Sequence, residues 1–573
     1  MGSIKMKTGA GIAGKETKAP ADRIVAKGMG KNENPAAHLY VLFGSRTGNS
    51  KAAAELAHGY SRHLGIESSL VDISVLNHEQ FASFRNILFA VSTHGEGDPP
   101  AVAEDFYNFI HSDQAPAMEG VRFSVLALGD SSYRDFCKTG KDIAGRFREL
   151  GAEEALPLIE CDIDYEENAK KWVRDSIELF GKLIPRKGNG SGKPFAFEIN
   201  KRESDYENAY FAPVVEKRLL TGNRYEKKTM HLELSMKDFA GGFEPGDSFG
   251  VYMNNSRLLV DALLKELHYD GTRAVDSVKG RKLLKQALLS DYEITVLTPV
   301  VINRYASASG NKSLGNMLKE TDSLSAYCKT RDILDMVRDY PSDISPEEFL
   351  GVLRNLSPRT YSVANSPLQH PGQLHFTVGL IDYNLEERRH RGVCSVYLED
   401  RVEIGDSIPV IHEPNEKFRL PGDDSAPVIM IATGTGIAPY RAFLQHRSVQ
   451  GATGENWLVF GDRHRDSDFL YRDELMEFMR RGVLSRLDTA FSRDGAEKIY
   501  VQDVLDSQGA DFYDWIENRG AVVYLCGNKR TIGIDVRSRI EKIVAREGGL
   551  TRVEASDYIE KLKRDRRIMT DLY

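Results

Sequence analysis

The chain repeatedly places a polar turn directly after a short apolar run, and this order constrains its fold more than any other feature. In the first 184 residues the apolar runs lie at 38–44, 86–92 and 123–129. Stretches with a helical apolar period lie between or after them, at 51–62, 101–111, 138–150 and 166–183. Apolar strands that alternate with helices predict a parallel, doubly wound sheet. Such a sheet binds ligands at the carboxyl ends of its strands, where the polar turns lie.

Composition and pattern divide the rest of the chain. The first residues combine many Lys, Gly and Ala with few apolar side chains, which is typical of disorder. A later Gly-, Lys- and Ser-rich stretch is typical of a flexible linker. The predicted division is a disordered tail at 1–36, a doubly wound domain at 37–184, a linker at 185–205, a β-rich domain at 206–424 with a helical insert at about 257–355, and a second strand–helix domain at 425–573.

Composition also excludes several classes of protein. No apolar run approaches the roughly 20 residues that a membrane helix needs, and the Lys-rich start lacks the apolar core of a signal peptide. The five cysteines include no CxxC pair, so neither zinc nor an iron–sulfur cluster is indicated and no metal is expected. The net charge of −8 disfavours nucleic acid. The sequence therefore predicts a cytoplasmic protein with neither a membrane nor a nucleic-acid partner.

Acidic residues are concentrated in the first folded domain. Residues 37–184 hold 14 basic and 23 acidic side chains, a net charge of −9, although the whole chain carries only −8. One interpretation is an ordinary solvated surface. The other is a docking face for a basic protein, because complementary charge steers encounters.

The turn after the first apolar run has the composition of a phosphate-binding loop. It reads Ser45-Arg46-Thr47-Gly48-Asn49-Ser50 and opens a predicted helix. Backbone N–H groups at a helix N-terminus form an anion site, and hydroxyl groups add donors. Alone, such a turn is more often a simple helix cap. Two further turns, Ser92-Thr93-His94-Gly95 and Leu128-Gly129-Asp130 with Tyr133, place two rings beside it, as if to cover the faces of a flat ligand.

A second group of residues indicates a site for a dinucleotide with a ring. It begins with Arg359-Thr360-Tyr361-Ser362, in which the arginine fork suits pyrophosphate oxygens and the tyrosine can stack on a ring. A short motif of this kind often occurs by chance. Its companions are Thr377-Val378-Gly379, Tyr383 and Gly392-Val393-Cys394-Ser395, the last at a predicted helix start.

The third group lies in the last domain. Gly434-Thr435-Gly436 follows an apolar strand, which on its own is a weak nucleotide signal. Downstream are Ser492, Arg493, Lys498, Tyr500 and Gln502, whose two cations and hydroxyl groups suit a dianionic phosphate. NADPH carries such a 2′-phosphate and NADH does not, so this site favours NADPH.

Taken together, these motifs resemble the diflavin reductase family over about residues 38–573. The resemblance implies a flavodoxin-like FMN domain, a ferredoxin-reductase-like β-barrel that binds FAD, and a Rossmann-like domain that binds NADPH. It implies that Ser362, Cys526 and Asp571 flank the hydride-transfer position and that Tyr573 stacks on FAD and swings away. It further implies cofactor contacts at Cys137, Thr295 and Asp535. Many members have Tyr where this chain has His94.

Within that family, the stretches at 128–142, 415–421 and 469–471 resemble the flavoprotein subunits of assimilatory NADPH–sulfite reductases. This resemblance implies that electrons pass from NADPH to FAD, FMN and then a hemoprotein subunit with sirohaem and an iron–sulfur cluster. A homo-oligomer is possible. The alternatives are a soluble reductase for another haem acceptor and, from another class, a flavin-binding scaffold without redox turnover.

Overall fold

The computed structural model describes residues 35–45, 48–94, 97–185, 194–199, 206–222 and 227–573. Three of the predicted site residues, Arg46, Thr47 and Gly95, lie outside these ranges, as do residues 1–34 and most of the predicted linker. Within the described ranges, no helix combines the length and the apolar content needed to cross a bilayer.

The first domain is a parallel sheet with helices on both faces. Its strands are β1 (Leu39–Gly44), β2 (Ser68–Asp72), β3 (Asn86–Ser92), β4 (Arg122–Leu128), β5 (Glu153–Glu154) and β6 (Ile159–Cys161). Its helices are α1 (Asn49–His63), α2 (His78–Phe81), α3 (Ala101–His111), α4 (Lys138–Glu149) and α5 (Glu166–Leu183). The order β2-β1-β3-β4-β5, with β6 also beside β4, is that of flavodoxin. Successive β1 residues enter opposite apolar cores, as a strand buried on both faces requires.

The second domain contains strands and a helical insert. Its strands are β7 (Tyr210–Leu219), β8 (Thr229–Ser235), β9 (Ser248–Val251), β10 (Ala274–Ser277), β11 (Gly280–Leu283), β12 (Arg359–Ser362), β13 (Gln373–Gly379), β14 (Asp382–Leu385), β15 (Arg388–Arg391) and β16 (Ser407–Glu413). Its helices are α6 (Arg257–Glu266), α7 (Leu284–Ser290), α8 (Pro299–Ser309), α9 (Lys312–Met317), α10 (Thr321–Thr330), α11 (Ile333–Asp339), α12 (Pro346–Val352) and α13 (Val393–Val396).

Six of these strands close into an antiparallel barrel. The order is β12-β9-β16-β7-β8-β13, and a bridge between Val363 and Phe376 joins the two edge strands. The helices α6–α12 leave the barrel after β9 and return at β12, and they bury an apolar core of their own. The insert is therefore a separately packed unit spliced between two neighbouring strands.

The third domain is a five-stranded parallel sheet of order β19-β18-β17-β20-β21. Its strands are β17 (Val428–Thr433), β18 (Asn456–Asp462), β19 (Arg486–Phe491), β20 (Val522–Gly527) and β21 (Ile568–Leu572). Its helices are α14 (Ile437–Gln450), α15 (Arg465–Asp468), α16 (Arg472–Arg480), α17 (Val501–Ser507), α18 (Gly509–Glu517), α19 (Arg537–Gly548) and α20 (Arg552–Arg564). The three architectures confirm the predicted fold class.

The described part of the predicted linker packs on the first domain. Phe195 and Phe197 lie 5.2 and 4.9 Å, ring to ring, from Tyr60 of α1, and Ile199 is buried. The Arg174 guanidinium lies 5.1 Å from the Phe197 ring. Residues 194–199 therefore belong structurally to the first domain, although they fall inside the range assigned to a linker.

A network of neutral histidines joins the barrel to the third domain. His231 donates from Nε2 to Glu233 at 3.0 Å, and its Nδ1 accepts from the Tyr471 hydroxyl at 2.9 Å. His375 donates from Nε2 to Gln373 at 3.0 Å, and its Nδ1 faces the Arg441 guanidinium at 3.2 Å. Burial first, and then Arg441, lower the pKa of each histidine to about 2.

This network predicts that acid destabilises the fold. The unfolded chain takes up protons on both histidines below about pH 6.5, whereas the folded protein does not, so stability falls with pH by about 1.4 kcal/mol per histidine per unit. We expect the thermal midpoint of His375→Gln to fall less steeply between pH 7 and pH 5 than that of the parent. Equal slopes would contradict the assignment, and the exposed His111→Gln serves as the control.

Candidate functional site

The turn after β1 brings a helix N-terminus to the carboxyl edge of the first sheet. Gly48 N donates to Ser45 Oγ at 2.9 Å, and Gly48 has a φ of 93°, a conformation that favours glycine. No described side chain caps the start of α1. The Ser50 hydroxyl is buried and has no partner among the described residues. An FMN phosphate would satisfy both groups, so these residues fit it.

The turns after β3 and β4 are tied to each other and to the sheet. Thr93 N donates to Leu128 O at 2.8 Å, and Gly129 N donates to Cys161 O at 2.9 Å. His94 is exposed and Tyr133 is half-buried, so both rings are accessible in turns that follow the carboxyl ends of β3 and β4. The geometry permits the predicted coverage of a flat ring.

Cys137 packs against the end of β4, under the turn that begins at Gly129. It is fully buried, and its thiol donates to Ala127 O at 3.2 Å. A Cβ atom at Gly129 would lie 2.9 Å from Cys137 N, which explains the glycine. The predicted cofactor contact at Cys137 therefore cannot be made by its side chain, because that side chain has no accessible surface.

In the second domain, Arg359 is held by a buried carboxylate. Its guanidinium pairs with Glu293, which is 3% exposed and also accepts from Thr295 N and Oγ1, both at 2.7 Å. Burial alone would raise the pKa of Glu293, but Arg359 and Thr295 hold it below its ordinary value. Glu293 thus fixes two predicted FAD residues in place. No local motif marks Glu293, although it lies two residues before Thr295.

The turn at Gly392 forms the start of α13. This helix lies near Arg359, because its Cys394 interacts electrostatically with the guanidinium. Gly392 caps α13 without a side-chain hydrogen bond, and Val393, Cys394 and Ser395 are buried. The Ser395 hydroxyl accepts from Ile381 N at 3.2 Å, and a Cβ atom at Gly392 would lie 2.9 Å from that hydroxyl. The uncapped backbone and the neighbouring arginine charge fit a pyrophosphate.

Other predicted FAD residues are engaged elsewhere. Thr377 donates to the Tyr471 hydroxyl at 2.7 Å, and Val378 lies in the barrel core, so both side chains are buried. Tyr383 stacks on His390 with ring centroids 5.1 Å apart and donates to Thr330 O. Thr360 is exposed and donates to Glu413 at 3.2 Å. Any contact of Thr377, Val378 or Gly379 with a cofactor must come from the backbone.

Three residues from distant parts of the chain meet at the edge of the third sheet. Parallel pairing sets Cys526 of β20 opposite Asp571 of β21. Ser362 Oγ donates to Asp571 Oδ2 at 2.9 Å, and Cys526 Sγ lies 3.9 Å from the same oxygen. Burial, then Asp571, raise the pKa of the Cys526 thiol well above its ordinary range, so it stays protonated. The arrangement can orient a reacting ring but does not supply a thiolate.

The glycine turn after β17 lies directly above this group. A Cβ atom at Gly436 would be 2.3 Å from Cys526 O, so only glycine allows this approach. Thr435 Oγ1 lies 2.5 Å from the Tyr573 hydroxyl, and Tyr573 N donates to Gly527 O at 3.2 Å. Tyr573 is 46% exposed, so its ring can leave without unpacking a core.

The predicted phosphate clamp lies at the carboxyl edge beside β19. Ser492 N donates to Asp462 O at 3.0 Å, which places its hydroxyl at the end of the strand. Arg493 and Lys498 are exposed, and neither forms an ion pair with a described residue. Tyr500 and Gln502 border the start of α17, while Asp535 is exposed in the segment after β20. Two exposed cations and two hydroxyls fit a dianionic phosphate.

Comparison with protein families gives three matches in chain order. A flavodoxin model matches residues 41–172, an FAD-binding domain model matches 202–397, and an oxidoreductase NAD-binding domain model matches 430–534. These ranges fall in the first domain, in the barrel with its insert and in the third domain, and the second and third matches end before β16 and β21, respectively.

Curated relatives match along nearly the whole chain. The sulfite reductase [NADPH] flavoprotein alpha-component of Bacillus subtilis is 40% identical over 541 residues, covering 93% of this chain and 89% of that protein. The protein of the same name from Serratia proteamaculans is 36% identical and covers 94% and 90%. That of Vibrio parahaemolyticus is 35% identical and covers 98% and 91%.

Proposed function

Because the chain belongs to the diflavin reductase family, among the sulfite reductase flavoprotein alpha-components, we propose that it passes electrons from NADPH through FAD and FMN to a sulfite reductase hemoprotein. It is an NADPH-dependent flavoprotein oxidoreductase, and its cofactors are FMN, FAD and NADPH. This excludes a flavin-binding scaffold without turnover. The acceptor, with sirohaem and an iron–sulfur cluster, and any homo-oligomer are parts of the proposal.

The observation that carries the proposal is the meeting of Ser362, Cys526 and Asp571 beneath the Gly434–Gly436 turn. The flavins, when bound, supply the conversion of a two-electron hydride into single electrons. The protein orients the reacting rings and excludes water from them. Asp571 holds Ser362 and faces a neutral thiol, and the Tyr573 ring covers the position until the nicotinamide replaces it.

Each of the three phosphate sites would bind a different cofactor. Ser45, Gly48 and Ser50 would hold the FMN phosphate, and Arg359, set by Glu293, would hold the FAD pyrophosphate. Ser492, Arg493 and Lys498 would distinguish NADPH from NADH, because binding NADH leaves the two cations unpaired. The sulfite reductase hemoprotein would take electrons from the first domain, whose net charge is −9 over residues 37–184.

The test is a reconstitution. Purified protein should contain one FMN and one FAD, its flavins should bleach on mixing with NADPH but hardly with NADH, and sulfide should form when a sirohaem hemoprotein and sulfite are added. The alternative, another soluble haem acceptor, predicts flavin bleaching without sulfide and rapid reduction of a different haem protein. A single retained flavin would contradict the proposal altogether.

A further inference from the structure

The first domain docks on the second through side chains of opposite charge. Within the described ranges, the ion pairs across this junction take their acids from the first domain and their bases from the second. Arg304 pairs with Asp164 at 2.7 Å, and Lys417 pairs with Glu104 at 3.0 Å. Both pairs are partly exposed, so salt screens them.

One pair in this junction differs because it is closed off from water. Arg354, between the insert and β12, is 3% exposed. Its guanidinium contacts Asp130 and lies at ion-pair distance, 3.1 Å, from Asp162, whose side chain is 2% exposed. A single arginine of the second domain therefore joins two carboxylates of the first.

Asp130 belongs to the loop that carries predicted FMN contacts, and Asp162, which directly follows β6, is hydrogen-bonded to that loop. Asp162 accepts from Ser131 N at 2.9 Å and from the Ser131 hydroxyl, and that hydroxyl lies 3.0 Å from Thr298 Oγ1 of the insert. Asp130 accepts from Ser132 N at 2.9 Å. The arginine thus contacts the loop between Gly129 and Tyr133, which carries predicted FMN contacts, directly through Asp130 and indirectly through Asp162.

The energetics of this contact differ from those of the outer pairs. A buried ion pair gives little net stability, because desolvation offsets attraction, but removing one partner is costly since the other charge stays buried. Separation of the domains restores water to Arg354 and Asp162, so the intact contact can open. Loss of the arginine leaves the Asp162 carboxylate buried without its cation and disfavours docking.

We propose that Arg354 holds the first domain reversibly against the second, by fixing the loop of Asp130 and Ser131 to the insert. The two partly exposed pairs, Arg304–Asp164 and Lys417–Glu104, only adjust this docking with ionic strength. The proposal rests on the proposed function, because the dock matters where electrons pass between the two domains. It assigns Arg354 a positioning role rather than a catalytic one.

The experiment compares Arg354→Gln with Arg338→Gln in flavin-loaded full-length protein. Arg338 pairs with Glu266 inside the insert, so its variant removes an ion pair without touching the dock. Small-angle X-ray scattering at about 0.05 M and about 0.5 M salt reports compactness independently of redox activity. We expect the parent and Arg338→Gln to stay compact at both salts, and Arg354→Gln to expand, with its docked fraction lowered about tenfold or more.

A kinetic readout accompanies the scattering. In Arg354→Gln, reduction of the first flavin by NADPH should keep its rate, while reduction of the second should slow about tenfold in step with the docked fraction, and Arg354→Lys should recover part of it. If Arg354→Gln does not fold, Asp130→Asn breaks the same contact from the other side, at a residue whose side chain is 34% exposed.

Two outcomes would overturn the inference. One is an Arg354→Gln variant as compact as the parent at both salts. The other is a parent that expands at about 0.5 M salt, which would show that the screened outer pairs hold the dock. Loss of one flavin from the parent is a different failure, since it refutes the proposed function and leaves the scattering comparison intact.

Discussion

Alanine at both Ser492 and Arg493 is expected to raise the KM for NADPH by about 10- to 100-fold. Because solvent screens this exposed site, we expect the two contacts together to contribute about 1.5–3 kcal/mol, the range for one hydrogen bond to a charged group, and each 1.4 kcal/mol corresponds to about tenfold in affinity. Arg493 is exposed and forms no ion pair with a described residue, so its charge is available to the 2′-phosphate. The KM for NADH should hardly change, because NADH never makes these contacts.

Anaerobic stopped-flow bleaching of the flavins at varied NADPH and NADH concentrations measures both values. The matched control is Arg480→Ala, which removes an exposed arginine of the same domain that pairs with Glu477 at 2.6 Å. An equal rise of both KM values would mean that Ser492 and Arg493 shape the whole nucleotide site and do not recognise the extra phosphate.

The second expected result concerns Asp571. Asp571→Asn should slow flavin reduction by NADPH about 10- to 100-fold at saturating nucleotide, while flavin content stays unchanged. One carboxylate oxygen accepts from Ser362 and lies against the Cys526 thiol, whereas the oxygen of an amide carries no negative charge and holds both groups more weakly. Loss of one such charged contact accounts for this range.

The control for this variant is Asp565→Asn, an exposed position at the end of α20. Flavin extraction and the rate of bleaching are measured on the same preparations. A normal rate in Asp571→Asn would reduce the group of Ser362, Cys526 and Asp571 to packing between β12 and β21. Loss of FAD together with the rate would instead make Asp571 a structural support of the second domain.

The alternation of apolar runs with helical stretches was enough to predict both parallel sheets, because the pattern of each strand and helix is contained in a short window of sequence. The resemblance named Ser362, Cys526 and Asp571, and the structure brings them together, although their role in hydride transfer stays a prediction. The strand pairing of the barrel could not be predicted in this way. Apart from the β7–β8 pair, the barrel pairings, including that of β16 with β9, join strands on either side of the insert, so no short window of sequence contains both partners.

The residues missed are those whose partners lie far away in sequence. Glu293 pairs with Arg359, and Arg354 pairs with Asp130 of another domain, so neither makes a local pattern. Conversely, Thr377 and Cys137 belong to motifs that predicted cofactor contacts, yet their side chains hydrogen-bond to Tyr471 and Ala127. A motif identifies a segment of the site, but only packing decides which of its side chains face inward.

The splicing of the insert between β9 and β12 has a consequence for how the chain folds. Val251 and Arg359 are partners in the barrel but are separated by every residue of α6–α12. Closing so long a loop is entropically unfavourable and slow unless an intermediate brings its ends together. The insert does so, since its core is its own and Leu356 N bonds to Asp291 O near its exit. Helix assembly in the insert should therefore precede and nucleate barrel closure.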